Sequence, residues 1–299
     1  MQKSSSNMKK IATKILLTVL FSIFCFVWIF PLIWILNGAF KGTVDWATNP
    51  KSFFPDSGYT IENFQVLFGQ ITQGPSWDFS LEPQPIARWV FNSLFASTVH
   101  TILYLIIASL GAFAFTFLEF KFKKILFAFF LSAMVVPGIV LTTPQFENII
   151  NLNLSLNIWA IILPSLGNIS GVFLMMQFFK GIPKDIVESA KVDGAGLFRI
   201  YLTQILPLAK SVLFVQGLFS FMSIWNDYAW AQIVLGYGDK TIRTLQLGLT
   251  YMVDINKGQL GATGITLAAS LISMLPIFII YLFTQRKIIE GVAMTGLKN

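Results

Sequence analysis

The sequence predicts an all-α protein that threads a bilayer with six transmembrane helices, and three observations carry that prediction. Its 299 residues are 55% hydrophobic and only 12% charged, about half the charge of an ordinary soluble domain, roughly 25%. Apolar runs of about 20 residues, the length needed to cross the hydrocarbon core, recur six times. The basic residues gather at the ends of these runs and form no aromatic-interleaved patch. The net charge of +7 therefore reports membrane topology and argues against nucleic acid as a partner.

The first run, residues 15–36, follows a short basic N-terminus, 1–14, containing "MKKIATK". It is too long for the apolar region of a signal peptide and no small-x-small cleavage site follows it, so it is a retained helix. Cys25, the single cysteine, lies in this run as a small lipid- or core-facing residue, and no disulfide can form within the chain. Residues 37–89 are rich in Pro, Gly, Trp and Asp and suit an external binding face. The second run is 90–118. The third, 125–141, is short, and Pro137-Gly138 and Pro144 let an irregular end sit inside a bundle. The fourth, fifth and sixth runs are 158–179, 212–235 and 265–284, with a second outer loop at 236–264. The membrane domain as a whole covers 15–285. The tail 286–299 is amphipathic, with Gly291 and Gly296 as breaks.

Six spans put both termini on one side. The flanks on that side hold fifteen Lys and Arg residues against six on the other, which places the termini and residues 181–210 in the cytoplasm.

Residues 181–210, "GIPKDIVESAKVDGAGLFRIYLTQILPLAK", are too charged for lipid and too regular for a slack linker. Pro183 can occupy the first turn of a helix, where its missing N–H is not needed. Asp185 and Glu188 then favour the helix dipole, and Ile186, Val187 and Ala190 make a small apolar face. Gly194 supplies a stop and sharp turn. A second apolar stretch, 197–206, follows and Pro207 ends it. A helix this short is marginal alone in water and needs a surface to dock against. The small Ser189-Ala190 pair would let another backbone approach closely.

The run "ESAKVDGAGLFRIYLTQILP" resembles the EAA loop of ABC-transporter permeases. Glu188, Ala190, Gly194, Leu206 and Pro207 fall at the positions of that pattern. Ser189 replaces its first Ala, and Gln204 stands where Ile is usual, with Ile205 one place later. Asp193 before Gly194 is similar to the carbohydrate-importing, maltose-type, binding-protein-dependent branch. "RWVFNSL" at 88–94, "FFKGIPKDIVESAKVDGA" at 178–195, "WNDYAW" at 225–230 and "QRKIIEGVAMTGLKN" at 285–299 extend the likeness over most of the chain.

The resemblance implies a maltose-type permease fold in a bacterial cytoplasmic membrane. It implies that 181–210 is a coupling loop seated in a cleft of an ATPase subunit, with Glu188, Ser189, Ala190, Asp193, Gly194, Leu206 and Pro207 carrying the contact. The implied partners are two ATP-binding subunits, a second and homologous permease subunit, an extracytoplasmic sugar-binding protein, and a sugar, an oligosaccharide by analogy. No cofactor belongs to this chain, since ATP and Mg would be held by the ATPase subunits. By physics alone the loop could instead be an amphipathic connector lying on the membrane surface.

The chain has no G-x-x-x-x-G-K-[ST] phosphate loop, no H-E-x-x-H and no paired Cys–His spacing. It is read as a non-enzyme whose energy enters from a partner. His100, the one histidine, is expected to be hydrogen-bonded inside the bundle. Polar groups within spans are costly and turn inward, which makes Asn92, Asn168, Gln177, Gln216, Asn226 and Asp227 candidates for a translocation path. Counting along a continuous helix from Val212 lifts Asp227 about 22 Å towards the outer end, where structural pairing competes with substrate contact. Trp225, Tyr228 and Trp230 form an interfacial belt or a platform for sugar rings. Residues 250–264 are a solvated loop or, by resemblance, a segment reaching towards the binding protein. The rival classes are an ion-driven secondary transporter, which would want intramembrane carboxylates, and a membrane-anchored scaffold.

Overall fold

The computed structural model describes residues 2–70, 84–255 and 262–296. In chain order its helices are α1 (Gln2–Ala39), α2 (Thr43–Thr48), α3 (Glu62–Leu67), α4 (Ile86–Phe117), α5 (Lys123–Ala133), α6 (Thr142–Asn151), α7 (Trp159–Ile162), α8 (Ile169–Phe179), α9 (Lys184–Val192), α10 (Leu197–Ile200), α11 (Leu206–Leu208), α12 (Lys210–Trp225), α13 (Ala229–Leu235), α14 (Leu245–Ile255) and α15 (Ala262–Gly296). Among the described residues the β content is one isolated bridge, Lys41 to Tyr59.

Three helices are long and apolar enough to cross a membrane unbroken: Ile11–Ala39, Ile86–Phe117 and Ala262–Gln285. The other three crossings are bent pairs. Lys123–Ala133 meets Gly138–Asn151 at 94°, Trp159–Gly167 meets Ile169–Phe179 at 48°, and Leu197–Leu208 meets Lys210–Trp225 at 82°. Each bent pair counted as one span completes six. The third span is broken earlier than expected: α5 stops at Ala133, and Pro137, extended at ψ 128°, starts a short 3₁₀ turn at Gly138–Leu141. The fifth is not one helix over 212–235, because α12 ends at Trp225 and α13 begins at Ala229.

The chain divides into two compact units, 1–84 with 251–275, and 85–250 with 276–299. In the first, α1 exposes its apolar side chains along most of its membrane-spanning length, Cys25 among them. The expected outer loop, by contrast, is knitted tightly over 37–67. Lys41 is buried, donates to Asn49 O (2.7 Å) and Ser52 O (2.9 Å), and lies 4.6 Å from the Trp46 ring centroid. These two acceptors and the ring face stand in for lost water around the ammonium. Asp45 accepts from the Ser57 hydroxyl (2.8 Å), and Glu62 from the Thr43 hydroxyl (2.7 Å). Asn63 Nδ2 donates to Ala39 O and Lys41 O, at 2.9 and 2.7 Å. Residues 71–83, the rest of that loop before α4, lie outside the described residues.

In the second unit two apolar clusters stack along α4. One joins Ala96 of α4 to Ile149, Ile161, Ile224, Val234 and Leu247. The other, nearer the end of α4, joins Phe113 and Phe117 to Met176, Phe179, Val187 and Ile200. The segment expected as a loop at 236–264 is in part a packed helix: α14 buries Leu245, Leu247 and Leu249. Gly248 lets it press onto buried Trp89, whose Nε1 donates to Lys240 O at 2.6 Å. Residues 256–261 of that segment lie outside the described residues. The tail is not broken at Gly291, since α15 runs to Gly296, and 297–299 are not described.

Gly248→Ala would place a Cβ 2.3 Å from the Trp89 ring, with no flexible side-chain end to yield. We expect a loss of about 1–3 kcal/mol, measured as a lowered Tm of the detergent-purified protein.

Candidate functional site

A cavity of about 980 Å³ lies between α4, α8 and α12 and reaches Pro183 and Ile186 at the start of α9. Its polar wall is built from regularly spaced residues. His100 and Tyr104 stand one turn apart on α4, and Gln216, Ser220 and Ser223 follow on one face of α12. Both ring nitrogens of His100 are bonded, Nδ1 with the Ser220 hydroxyl at 3.0 Å and Nε2 with the Ser165 hydroxyl at 2.8 Å. One histidine thus ties α4 to α12 and to the 3₁₀ turn Pro164–Gly167 that breaks the fourth span. Tyr104 donates to Gln216 Oε1 at 2.8 Å. It reaches across only because residue 171 is glycine: a Cβ there would lie 1.9 Å from the Tyr104 hydroxyl oxygen. Leu174, Phe178, Val215 and Phe219 supply apolar patches between the polar groups, and no Asp, Glu, Lys or Arg is among the lining residues.

Of the path residues expected from sequence, Asn168, Gln177 and Gln216 line this cavity. Asn168 is also the N-cap of α8, its side chain accepting from Ser170 N. Asn92, Trp225, Asn226, Asp227 and Tyr228 are not among the lining residues. Asn92 is buried and donates to Thr241 O and Arg243 O, both at 2.9 Å, so it fastens the 240–243 segment to α4. Within that segment Thr241 donates both hydroxyl and N–H to Asp239, which holds that carboxyl below its ordinary range. Asp227 does not ride a continuous helix. It sits in the break between α12 and α13 and accepts from Trp230 N at 3.1 Å. Asn226 closes α12 and is exposed, as is Tyr228. Trp225 is fully buried and stacked on Phe221 at 6.0 Å, which removes it from both the belt and the sugar-platform readings. Trp230 Nε1 donates to Ala160 O at 2.8 Å. The missed cavity residues His100, Tyr104, Ser220 and Ser223 had a legible signal, polar groups at i, i+4 and i+7 within apolar helices.

The 181–210 block is a helix, a turn and a second short helix. Pro183 is the extended residue before α9 (ψ 131°), not part of its first turn. Val187 is buried in the lower cluster, with Ile186, Ala190 and Ala195 packed against it. The small apolar face is therefore spent on the chain's own core, which supplies the docking surface that a nine-residue helix requires. Burial of Val187 alone contributes roughly 1.5–3 kcal/mol. Ala190 turns inward, while Glu188, Ser189, Val192 and Asp193 face outward, Val192 with 88% of its surface exposed. Gly194 has φ +78°, and its N–H donates to Lys191 O while that of Ala195 reaches Ala190 O, both at 3.0 Å. This pair of bonds is the Schellman closure, which wants glycine at the left-handed residue. Beyond it the chain makes a π turn at Tyr201–Ile205. A regular α turn would set residue 204 beneath Ile200; the wider turn sets Ile205 there, wholly buried, and leaves Gln204 exposed. Leu206 is half-buried and Pro207 exposed.

Six apolar crossings, three of them broken, and a polar cavity between α4, α8 and α12 that reaches the short helix α9 define a membrane transport component. Residues 106–289 match the family described as binding-protein-dependent transport system inner membrane component, and the chain belongs to that family. It is 28% identical to the arabinooligosaccharides transport system permease protein AraQ of Halalkalibacterium halodurans, over 95% of this chain and 96% of that one. It is 26% identical to the sulfoquinovosyl glycerol transport system permease protein SmoH of Agrobacterium fabrum, over 91% and 89%. Its fold matches a crystal structure of a bacterial ABC transporter involved in the import of the acidic polysaccharide alginate, with a TM-score of 0.75 and 22% identity over 91% and 95% of the chains. The protein is thus an inner membrane permease component and not an enzyme.

Tyr104→Phe leaves Gln216 Oε1 without its donor and should cost about 1–3 kcal/mol. Adding Gln216→Leu should recover most of that loss, because no buried acceptor then stays unpaired. Thermal unfolding of the two single variants and the double checks this as a cycle.

Proposed function

We propose that this chain is the permease subunit of a sugar importer, passing an oligosaccharide through the α4–α8–α12 cavity under the drive of a separate ATPase subunit docked on 181–210. The observation that carries the reading is the two-sidedness of α9. Its apolar face is locked into the bundle, while Glu188, Ser189, Asp193 and the Gly194 turn are left open. A partner that moves this helix also moves the cavity, since Ile186 both packs into the lower cluster and lines the cavity wall. The excess of Lys and Arg on the 181–210 side supports a cytoplasmic position for that partner. Hydroxyls, amides and aromatic rings without a charged group suit a neutral saccharide, whose hydroxyls hydrogen-bond while its C–H faces lie on apolar side chains. An anionic substrate would lose its hydration there with no counter-charge to offset the loss.

Relatives named as arabinooligosaccharide and sulfoquinovosyl glycerol permeases support the sugar class. A complete path needs more than six helices, which calls for a second, homologous permease subunit, and an extracytoplasmic binding protein delivers the sugar. ATP and Mg stay with the two ATPase subunits. A nucleotide shifts inward- and outward-facing states only through its different affinity for them.

The test is uptake into vesicles reconstituted with the partners. Uptake should require ATP on the α9 face and persist when ion gradients are collapsed; dependence on an ion gradient would overturn the reading. Inside the chain nothing lies within 4 Å of a Cβ built on Gly194, and asparagine tolerates its positive φ better than other residues. Gly194→Asn should therefore keep the fold and abolish substrate-stimulated ATP hydrolysis, and unchanged stimulation would refute the contact. Asp227→Asn keeps an oxygen for Trp230 N and should retain transport. Its loss with normal assembly would move Asp227 into the substrate path.

A further inference from the structure

A second hollow, of about 770 Å³, lies where α4, α5 and α8 end near the start of α9. Its wall is aromatic. Phe115 makes ring contacts with Phe120 and Phe127, each at 5.7 Å, and Phe117 meets Phe179 at 6.3 Å. Its rim is basic, with Lys123, Lys124, Lys180 and Lys184 against the single carboxylate of Glu119. Only Lys123 is engaged by that carboxylate, at 3.4 Å, and it also donates to Leu118 O at 2.7 Å. Lys124, Lys180 and Lys184 are exposed. Phe122, in the left-handed region at φ 64°, turns a ring with 70% exposure out beside them.

We propose that this hollow binds an anionic phospholipid, its phosphate on the lysines and an acyl chain among the phenylalanines. Either half alone would fit other occupants. Soluble phosphate compounds gain nothing from an aromatic hollow of this size, and an uncharged lipid gains nothing from the uncompensated lysines. One molecule satisfies both, and it is the molecule present where α4 leaves the bilayer. Basic pockets between membrane helices recognise anionic headgroups in this manner, and aromatic rings favour the interfacial depth. The site is separate from the substrate cavity and does not depend on which sugar is carried.

The experiment is native mass spectrometry of the assembled importer in detergent, offered equimolar phosphatidylglycerol and phosphatidylcholine with identical acyl chains. The importer should retain phosphatidylglycerol preferentially. Lys124→Gln and Lys180→Gln should each cut that preference by about fivefold, while Lys51→Gln leaves it intact. Both rim lysines are exposed, so the variants should keep the wild-type thermal transition, and circular dichroism verifies this before binding is scored. Excess inorganic phosphate should not displace the lipid. Equal retention of the two lipids, a preference unchanged in both rim variants, or displacement by inorganic phosphate would each overturn the proposal. So would retention by the isolated chain that vanishes in the assembled importer, which would assign the hollow to a subunit contact.

Discussion

The architecture depends on keeping every polar group partnered in a medium that offers no water. Three of the six crossings are broken, and a broken helix exposes N–H and C=O groups that lipid cannot satisfy. In the fourth crossing, and between α12 and α13, the chain closes such gaps with side chains from the same neighbourhood. Asn168 caps the second half of the fourth crossing, and Asp227 receives Trp230 N at the start of α13. Trp230 in turn donates to Ala160 O in the first half of the fourth crossing. His100 holds the 3₁₀ turn of that same fourth crossing through Ser165. The break in the fourth crossing and the one between α12 and α13 are thus joined through Trp230, which keeps this irregular backbone partnered inside the protein.

The same pairing makes the cavity. Groups that would otherwise be driven apart by packing are held at 2.8–3.0 Å across it by His100 and by the Tyr104–Gln216 bond. Gly171 brings the helices close enough for the second of these. A wall built from paired neutral groups keeps its shape, and on the path proposed above a sugar hydroxyl would exchange for any one of them at little net cost, because hydrogen bonds are traded and not lost. On that path, stability and passage would be served by the same atoms.

Much of this was legible in the sequence. The apolar runs located all six crossings, since a bilayer imposes a length that few other environments require, and Pro183 and Gly194 bounded the short α9. The break at 226–228 was not legible, because Asn226 and Asp227 act as helix-end residues only once α13 changes direction, and a one-dimensional count cannot register a turn. Trp225 looked interfacial by neighbourhood and proved buried, since its exposure depends on α12 packing against α4. The loop at 236–264 hid the helix α14 because its burial needs Trp89, about 160 positions away in sequence by the numbering itself. His100 was correctly expected inside the bundle, but its role as a junction of three elements required partners from distant segments. Ser189 and Ala190 read as two small neighbours, with no means of telling from the sequence which one faces inward.

The π turn at Tyr201–Ile205 carries one residue more than a regular helix would spend on the same rise. That surplus is slack in the chain. Excision of one of the exposed residues 202–204 would relax the turn to ordinary α geometry and still seat isoleucine beneath Ile200. A one-residue deletion that would shift the register of a regular helix is therefore tolerable at this point. The spare residue lies a few positions beyond α9, so the chain can be shortened there without disturbing that helix.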